Sequence, residues 1–256
     1  MFKHAIVCPP SNTFAQGIST SGPGSPDIRK ALTQHKAYCQ ALRECGLSVT
    51  VLDPDNRFPD STFVEDTAVI IGQLAVLTRP GVASRMGEVD AIRKHIQNAL
   101  PRVEEIVSPG TLDGGDVCEA DGHFFIGISH RTNETGARQL AAFLAAAGYT
   151  ASFVDICELK GILHLKSGIA HLGDKDLVVW DELAGFPEFQ GYNLIRVPRE
   201  EYYAANCVAV NERVLVADDF PSFQERIANA GYDPLVLDVS EFRKMDGGLS
   251  CLSLRF

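Results

Sequence analysis

FVEDTAVIIGQLAVLTRP, residues 63–80, is followed by SRMGEVDAIRKHIQNAL (84–100) and RVEEIV (102–107). Apolar and β-branched residues flank Gly72-Gln73, so the first stretch reads as two strands joined by a tight turn. Val89, Ile92, Ile96 and Leu100 then recur at helical spacing, with Ser84 as a candidate N-cap. RVEEIV supplies a third strand. The local unit is therefore strand, strand, helix, strand.

The same unit recurs in both directions. It returns as GGDVCEADGHFFIGI, TNETGARQLAAFLAAAG and TASFVDI. It returns more weakly as SGIAHLGDKDLVVW, a short helical piece and NLIRVP. It returns once more as NCVAVNERVLVAD, PSFQERIANAG and PLVLDV. At the C-terminus SCLSLRF needs a partner strand, and FKHAIVCP at the N-terminus is the one candidate left unassigned. FKHAIVCP is followed by its own helix, DIRKALTQHKAYCQALRECG, and its own strand, SVTVLDP. Pairing the two termini completes a fifth unit. A period of roughly 40–50 residues belongs to propellers and arrays, and radial closure leaves few exposed sheet edges. The expected fold class is thus α/β, a five-bladed pseudo-symmetric α/β propeller forming a single domain over residues 1–256. A two-layer α/β sheet with crossover helices fits the same periods. Residues 11–26, SNTFAQGISTSGPGSP, fall outside the units and read as a mobile loop of the kind that serves as a lid, or as a plain surface connection.

Composition narrows the class. The chain has 256 residues, 45% of them hydrophobic, which suffices for a full core. A net charge of −10 gives no footprint for nucleic acid and disfavours an anionic membrane surface. No stretch approaches the ~20 apolar residues of a membrane helix, and the N-terminus MFKHAIVCPPSN lacks a signal pattern. Seven scattered cysteines without C-x-x-C pairs argue against a disulfide framework and a structural zinc site, and so for a reducing, cytoplasmic compartment.

Polar residues cluster where strands begin or end. Asp60, Glu65 and Asp66 stand within PDSTFVED; in an extended strand Asp60 and Asp66 would face one side and could hold a guanidinium or ammonium group. A metal fits that trio less well, because no histidine stands with it, and a solvated turn fits it too. Asp113 and Asp116 sit in TLDGGDV. Cys251 ends DGGLSC, where Gly247 and Gly248 allow close backbone approach, and it reads either as a nucleophile or as a buried strand cysteine. His164 lies in the apolar run GILHLKSG, as an acid/base candidate or a core residue. Together with Cys251 and a carboxylate such as Asp113, it could complete a triad, which is defined by geometry and not by order. Arg85 and Arg131 suit bidentate capture of a carboxylate.

The strings FPDSTFVED, TRPGVASR, TLDGGDV, RTNETGA, LHLKSG, AANC and KMDGGLSC, in this order over nearly the whole chain, resemble those of the dimethylarginine dimethylaminohydrolases, members of the guanidino-modifying superfamily. The resemblance implies a five-bladed α/β propeller and a methylated arginine as substrate. It implies that Cys251 is the nucleophile, His164 the general acid/base and Asp113 the carboxylate that orients His164. Asp66, with Glu65 beside it, corresponds to the group holding the guanidinium end, and Asp60 to the α-amino contact. Arg85 and Arg131 correspond to the carboxylate clamp. Ile18 and Met245 correspond to positions that meet the substrate through backbone carbonyls; Met245 stands where a branched residue is expected. The chemistry implied needs no metal and no organic cofactor. Two alternatives stay beside it: an arginine deiminase-type hydrolase acting on free arginine, which usually carries an extra helical domain, and a non-catalytic binding protein on the same fold. The oligomeric state is left open, a homodimer being among the states allowed.

Overall fold

The computed structural model describes residues 1–20 and 24–256. Each of the five expected units forms one three-stranded sheet. Along the chain the elements are β1 (His4–Val7), α1 (Ile28–Glu44), β2 (Ser48–Val51), β3 (Ala68–Ile71), β4 (Leu74–Leu77), α2 (Val89–Ala99) and β5 (Arg102–Glu105). They continue as β6 (Val117–Ala120), β7 (His123–Ile128), α3 (Glu134–Ala146), β8 (Thr150–Asp155), β9 (Ile169–Gly173), β10 (Asp176–Trp180) and β11 (Asn193–Val197). The last are β12 (Val208–Val210), β13 (Arg213–Ala217), α4 (Pro221–Asn229), β14 (Asp233–Leu237), α5 (Ser240–Arg243) and β15 (Leu254–Arg255). In every sheet the middle strand pairs antiparallel on one side, through a hairpin in all but β15-β1-β2, and parallel on the other, as a crossover connection allows. Asp121 and Gly122 both take positive φ, 53° and 78°, the backbone of a tight primed turn between β6 and β7.

The elements group into two compact units. Met1–Val64 with Asn206–Phe256 holds two sheets, β15-β1-β2 and β12-β13-β14. β15 does pair with β1, Ile6 opposite Leu254, so the terminal strand supplies the missing partner. Helix α1 is capped by Asp27, whose carboxylate accepts the N–H groups of Arg29 (2.8 Å) and Lys30 (3.2 Å). Glu65–Ala205 holds the other three sheets. Its core joins Val69, Val76, Leu112, Phe124, Ile126 and Leu140. Val89, Ile92 and Ile96 are the buried face of α2, as their spacing predicts. Among the described residues no helix is long and apolar enough to cross a membrane.

Two local expectations need correction. Ser84 does not cap α2; it lies inside a 3-10 segment, Ala83–Glu88, that leads into a helix with no side-chain cap. Residues 60–66 are not an extended strand: Asp60 lies in a turn, and Glu65 and Asp66 lie on a 3-10 turn, Val64–Thr67. The alternation argument for that pair therefore fails. The loop expected at 11–26 includes residues 21–23, outside the described residues. Its described part is tied down in several places. Phe14 is fully buried and packs on Phe63 and Phe242 at centroid distances of 6.0 and 5.6 Å. Thr13 Oγ1 donates to the Asn56 carbonyl at 3.0 Å, and Ser19 Oγ donates to the Lys244 carbonyl at 2.9 Å.

Candidate active site

Within Glu65–Ala205 the first strand of each sheet is entered through a 3-10 turn, and the site residues sit on or beside these turns. His164 immediately precedes the turn Leu165–Ser167, and its backbone N–H donates to Ser167 Oγ at 3.4 Å. Its Nε2 lies 3.0 Å from Asp113 Oδ2, with Asp66 Oδ1 4.0 Å away. Asp113 is fully buried, and its other oxygen accepts the Gly81 N–H at 2.8 Å. Asp66 accepts the Gly115 N–H on Oδ1 (2.9 Å) and an Arg85 N–H on Oδ2 (2.6 Å). Gly115 is the hinge of this cluster. A Cβ there would lie 2.8 Å from Asp66 Oδ1 and 2.9 Å from the His164 ring, closer than real Cβ contacts come. The glycine pair thus serves close backbone approach.

A histidine therefore does stand with the acidic cluster, contrary to expectation. Asp66, Asp113 and His164 bring ligand-type atoms within 4.8 Å of one another, a spacing that could surround a cation. All four carboxylate oxygens, however, accept N–H donors. The set reads as an ion-paired acid/base centre. Burial opposes the imidazolium of His164, but Asp66, Asp116 and Asp113 outweigh it and push the pKa to about 9. Burial likewise disfavours ionised Asp66, yet His164 and Arg85 hold it down at about 2. Near neutral pH this is a buried imidazolium beside the ionised Asp66.

The remaining sequence candidates of this unit are placed as follows. Glu65 accepts from Lys166 Nζ at 2.6 Å. Arg85 joins Asp66 to Glu88, which accepts from its Nε and a terminal nitrogen at 3.0 and 2.8 Å. The guanidinium thus sits in a buried ion network. Arg131, also buried, has a terminal nitrogen 3.9 Å from Asp113 Oδ2, and that nitrogen has no hydrogen-bond partner among the described residues. A buried donor left so is a place for an acceptor from outside the chain.

In the unit built from both termini, Cys251 lies on a 3-10 turn, Ser250–Leu252, just before β15. It is one of two cysteines that are not buried, the other being Cys157; all seven are free thiols. The turn is braced from below. Ser250 donates its N–H to Asn206 Oδ1 and accepts from Asn206 Nδ2, both at 3.0 Å. The Tyr38 hydroxyl donates to the Leu249 carbonyl at 2.9 Å and meets Ser253 Oγ at 2.7 Å. A Cβ on Gly247 would overlap Phe63 and one on Gly248 would overlap Asn206, so both glycines are fixed by packing. Asp60, Ile18 and Met245 come together in the same unit. The Ile18 N–H lies 3.1 and 3.2 Å from the two Asp60 oxygens, and a Cβ on Gly17 would collide with Asp60 and reach 3.1 Å from the Met245 methyl. Asn206 and Tyr38 were not identified as site residues from sequence. AANC marked the place of Asn206, but only the fold brings it to Ser250; nothing local distinguishes Tyr38 from any other core aromatic.

Comparison with known proteins places this chemistry. Residues 9–248 match the family model described as N,N dimethylarginine dimethylhydrolase, eukaryotic. The chain is 47% identical over 257 residues to the N(G),N(G)-dimethylarginine dimethylaminohydrolase of Pseudomonas aeruginosa, covering 100% of both. It is similar to the structure of a cysteine-to-serine mutant of the Pseudomonas aeruginosa enzyme complexed with citrulline, at a TM-score of 0.97, 46% identity and full coverage of both chains. It is also similar to a histidine-to-glycine dimethylarginine dimethylaminohydrolase adduct with S-methyl-L-thiocitrulline, at a TM-score of 0.96, 46% identity and full coverage of both chains. The five three-stranded sheets are those of that α/β propeller fold. This chain belongs to the dimethylarginine dimethylaminohydrolase family.

Proposed function

We propose that residues 1–256 act as one catalytic domain that hydrolyses Nω,Nω-dimethylarginine, and Nω-monomethylarginine, to citrulline and the methylated amine. The observation that carries this reading is the buried His164 imidazole, held 3.0 Å from Asp113 beside the ionised Asp66. Such a centre takes a planar cation and delivers a proton. The Cys251 thiolate attacks the central guanidinium carbon and a C–S bond forms. The C–N bond to dimethylamine then breaks, and His164 gives its proton to the departing nitrogen. Neutral His164 next removes a proton from water, which adds to the thiouronium carbon. The C–S bond breaks, the remaining hydroxyl proton passes to solvent, where the released amine takes one up, citrulline leaves and the thiolate is restored. Asp66 holds the guanidinium, Asp60 the α-amino group, and Arg131 with Arg85 the α-carboxylate; Ile18 and Met245 contribute backbone carbonyls. Because Arg85 rests on Asp66 here, substrate binding on this reading draws its guanidinium away from that carboxylate. Seven free thiols suit a cytoplasmic location.

The test is turnover combined with trapping. Wild-type protein with dimethylarginine should release citrulline and dimethylamine, and quenched samples should carry an adduct that maps by mass spectrometry to the peptide holding Cys251. Cys251→Ser should bind substrate without turnover. Citrulline production by Cys251→Ser at the wild-type rate would overturn the nucleophile assignment, and a preference for arginine over dimethylarginine would overturn the substrate.

A further inference from the structure

Asp116 has no part in that reaction, yet its side chain is fully buried. Its Oδ2 accepts the hydroxyls of Ser129 and Thr132, each at 2.7 Å. Its Oδ1 accepts the backbone N–H of Leu165 at 3.0 Å, the residue directly after His164. Both hydroxyls pass the restraint on. Ser129 Oγ accepts the N–H groups of Arg131 (3.0 Å) and Thr132 (3.1 Å), and Thr132 Oγ1 accepts the Asp113 N–H at 3.1 Å. Three separate segments, carrying Asp113, Arg131 and His164, therefore converge on one carboxylate. Gly127 on β7 leaves room for it: a Cβ there would lie 3.0 Å from Asp116 Oδ1 and 2.9 Å from Leu165 Cβ.

We propose that Asp116 is a positioning residue for the reaction, a buried anion that sets His164 and Arg131 through their backbones and stabilises the imidazolium with its charge. The proposal rests on the roles given above to His164 and Arg131. A neutral amide could not replace this carboxylate. Asp116 receives three donors and has no hydrogen of its own to place, whereas an amide nitrogen would face two hydroxyls whose protons already point inward. The charged side chains carried by the segments around it are His164, Asp113 and Arg131, while Lys166 is engaged with Glu65. Burial pushes Asp116 up to about 6 although His164 and the hydroxyls pull it down, so it is ionised at and above neutral pH.

Asp116→Asn tests this, with steady-state kinetics normalised to folded protein and a pH profile of kcat. The expected result is a fall in kcat of about tenfold to a hundredfold, as small misplacements of a reacting group produce, with KM raised as well. The high-pH limb of kcat, which follows the proton on His164, should move to lower pH because one stabilising anion is gone. Wild-type kcat, KM and limb position in folded Asp116→Asn would overturn the proposal. Should that variant not fold, Thr132→Val and Thr132→Ser decide. Val removes one hydroxyl from the carboxylate and should lower kcat, while Ser keeps it and should restore the rate; equal rates for Val, Ser and wild type would overturn the proposal. His164→Gln separates the two levels. If it turns over at the wild-type rate, the acid/base reading itself falls; if it is inactive while Asp116→Asn is normal, only the role of Asp116 falls.

Discussion

The imidazole of His164 donates or accepts through Nε2 according to what Asp113 presents. The Asp113 carboxylate, 3.0 Å away, accepts from Nε2–H and leaves Nδ1 on the Gly115 side of the ring. Asp113→Asn would keep the size of the side chain and lose that selection, since the amide can offer its own N–H to Nε2. By analogy with the same exchange in a serine-protease triad, kcat should fall by about 10²–10⁴ with a much smaller change in KM. Steady-state kinetics at pH 7–8 check this; a fall of less than threefold would contradict the orienting role. Arg131 makes the opposite prediction. Its buried terminal nitrogen has no partner among the described residues, so its energy is available to a bound carboxylate. Arg131→Lys removes the planar fork and should raise KM at least tenfold while kcat changes little. Unaltered KM would take Arg131 out of the clamp. The charged residues themselves were legible in the sequence because carboxylates, arginines and a histidine stand out in apolar runs. Their partners were not: Asp113 and His164 are 51 positions apart, and Asp66 and Arg85 are 19 apart. Only folding makes them neighbours.

At the scale of elements, the same device occurs five times. The turns Val64–Thr67, Gly114–Asp116, Leu165–Ser167, Arg199–Ala205 and Ser250–Leu252 each lead into the first strand of a sheet. They carry or adjoin Asp66, Asp113, His164, Asn206 and Cys251. A strand would have pointed alternate side chains to opposite faces. A 3-10 turn instead bends the chain just before the pleat begins and frees polar groups at the strand end. Periodicity captured the strands and the helices, because alternation and 3.6-residue spacing are local signals. It read straight through these turns, because VEDT, GGD and LKS are too short to carry a period of their own. Glycine was the legible exception. Gly115→Ala places a methyl between Asp66 and the His164 ring, at 2.8 and 2.9 Å. The backbone there is not in the left-handed region, so the consequence is displacement of those two side chains. We expect a folded protein with activity reduced about a hundredfold, to be checked by circular dichroism alongside kinetics. Tyr38→Phe acts on the turn with Cys251 from beneath. It strips the Leu249 carbonyl of a buried donor, at a cost of about 1–3 kcal/mol, read as a lower urea midpoint with unchanged m-value.

For the whole chain, the N- and C-terminal strands were legible as partners only through the repeat, since each is an orphan without the other; β15 proved to be two residues long, too short to be identified by its own pattern. What no pattern could show is how burial shifts charge, and this governs stability. His164 has a folded pKa of about 9 against an ordinary 6.5. Between these values the folded chain binds a proton that the unfolded chain has released, so stability falls as pH rises. The contribution is complete below 6.5 and gone above 9. His35, driven down by burial to about 4, behaves oppositely: it destabilises as pH falls from 6.5 towards 4 and is flat above 6.5. Asp116, raised to about 6 from 3.8, favours the folded state towards the acid end of that interval and is flat above it. In the window from 6.5 to 9, His164 is therefore the histidine that sets the slope. Going from pH 6.5 to 9 should lower the melting temperature by at least 2–4 °C, roughly the equivalent of 1 kcal/mol for a chain of this size. His164→Gln should show a shallower decline across the same window, because glutamine has no proton to release and only the thiols raised by burial, such as Cys118, still lose stability near its alkaline end. Parallel slopes for the two proteins in calorimetry would mean that the buried imidazole is not charged at neutral pH, and the acid role of His164 would lose its physical basis.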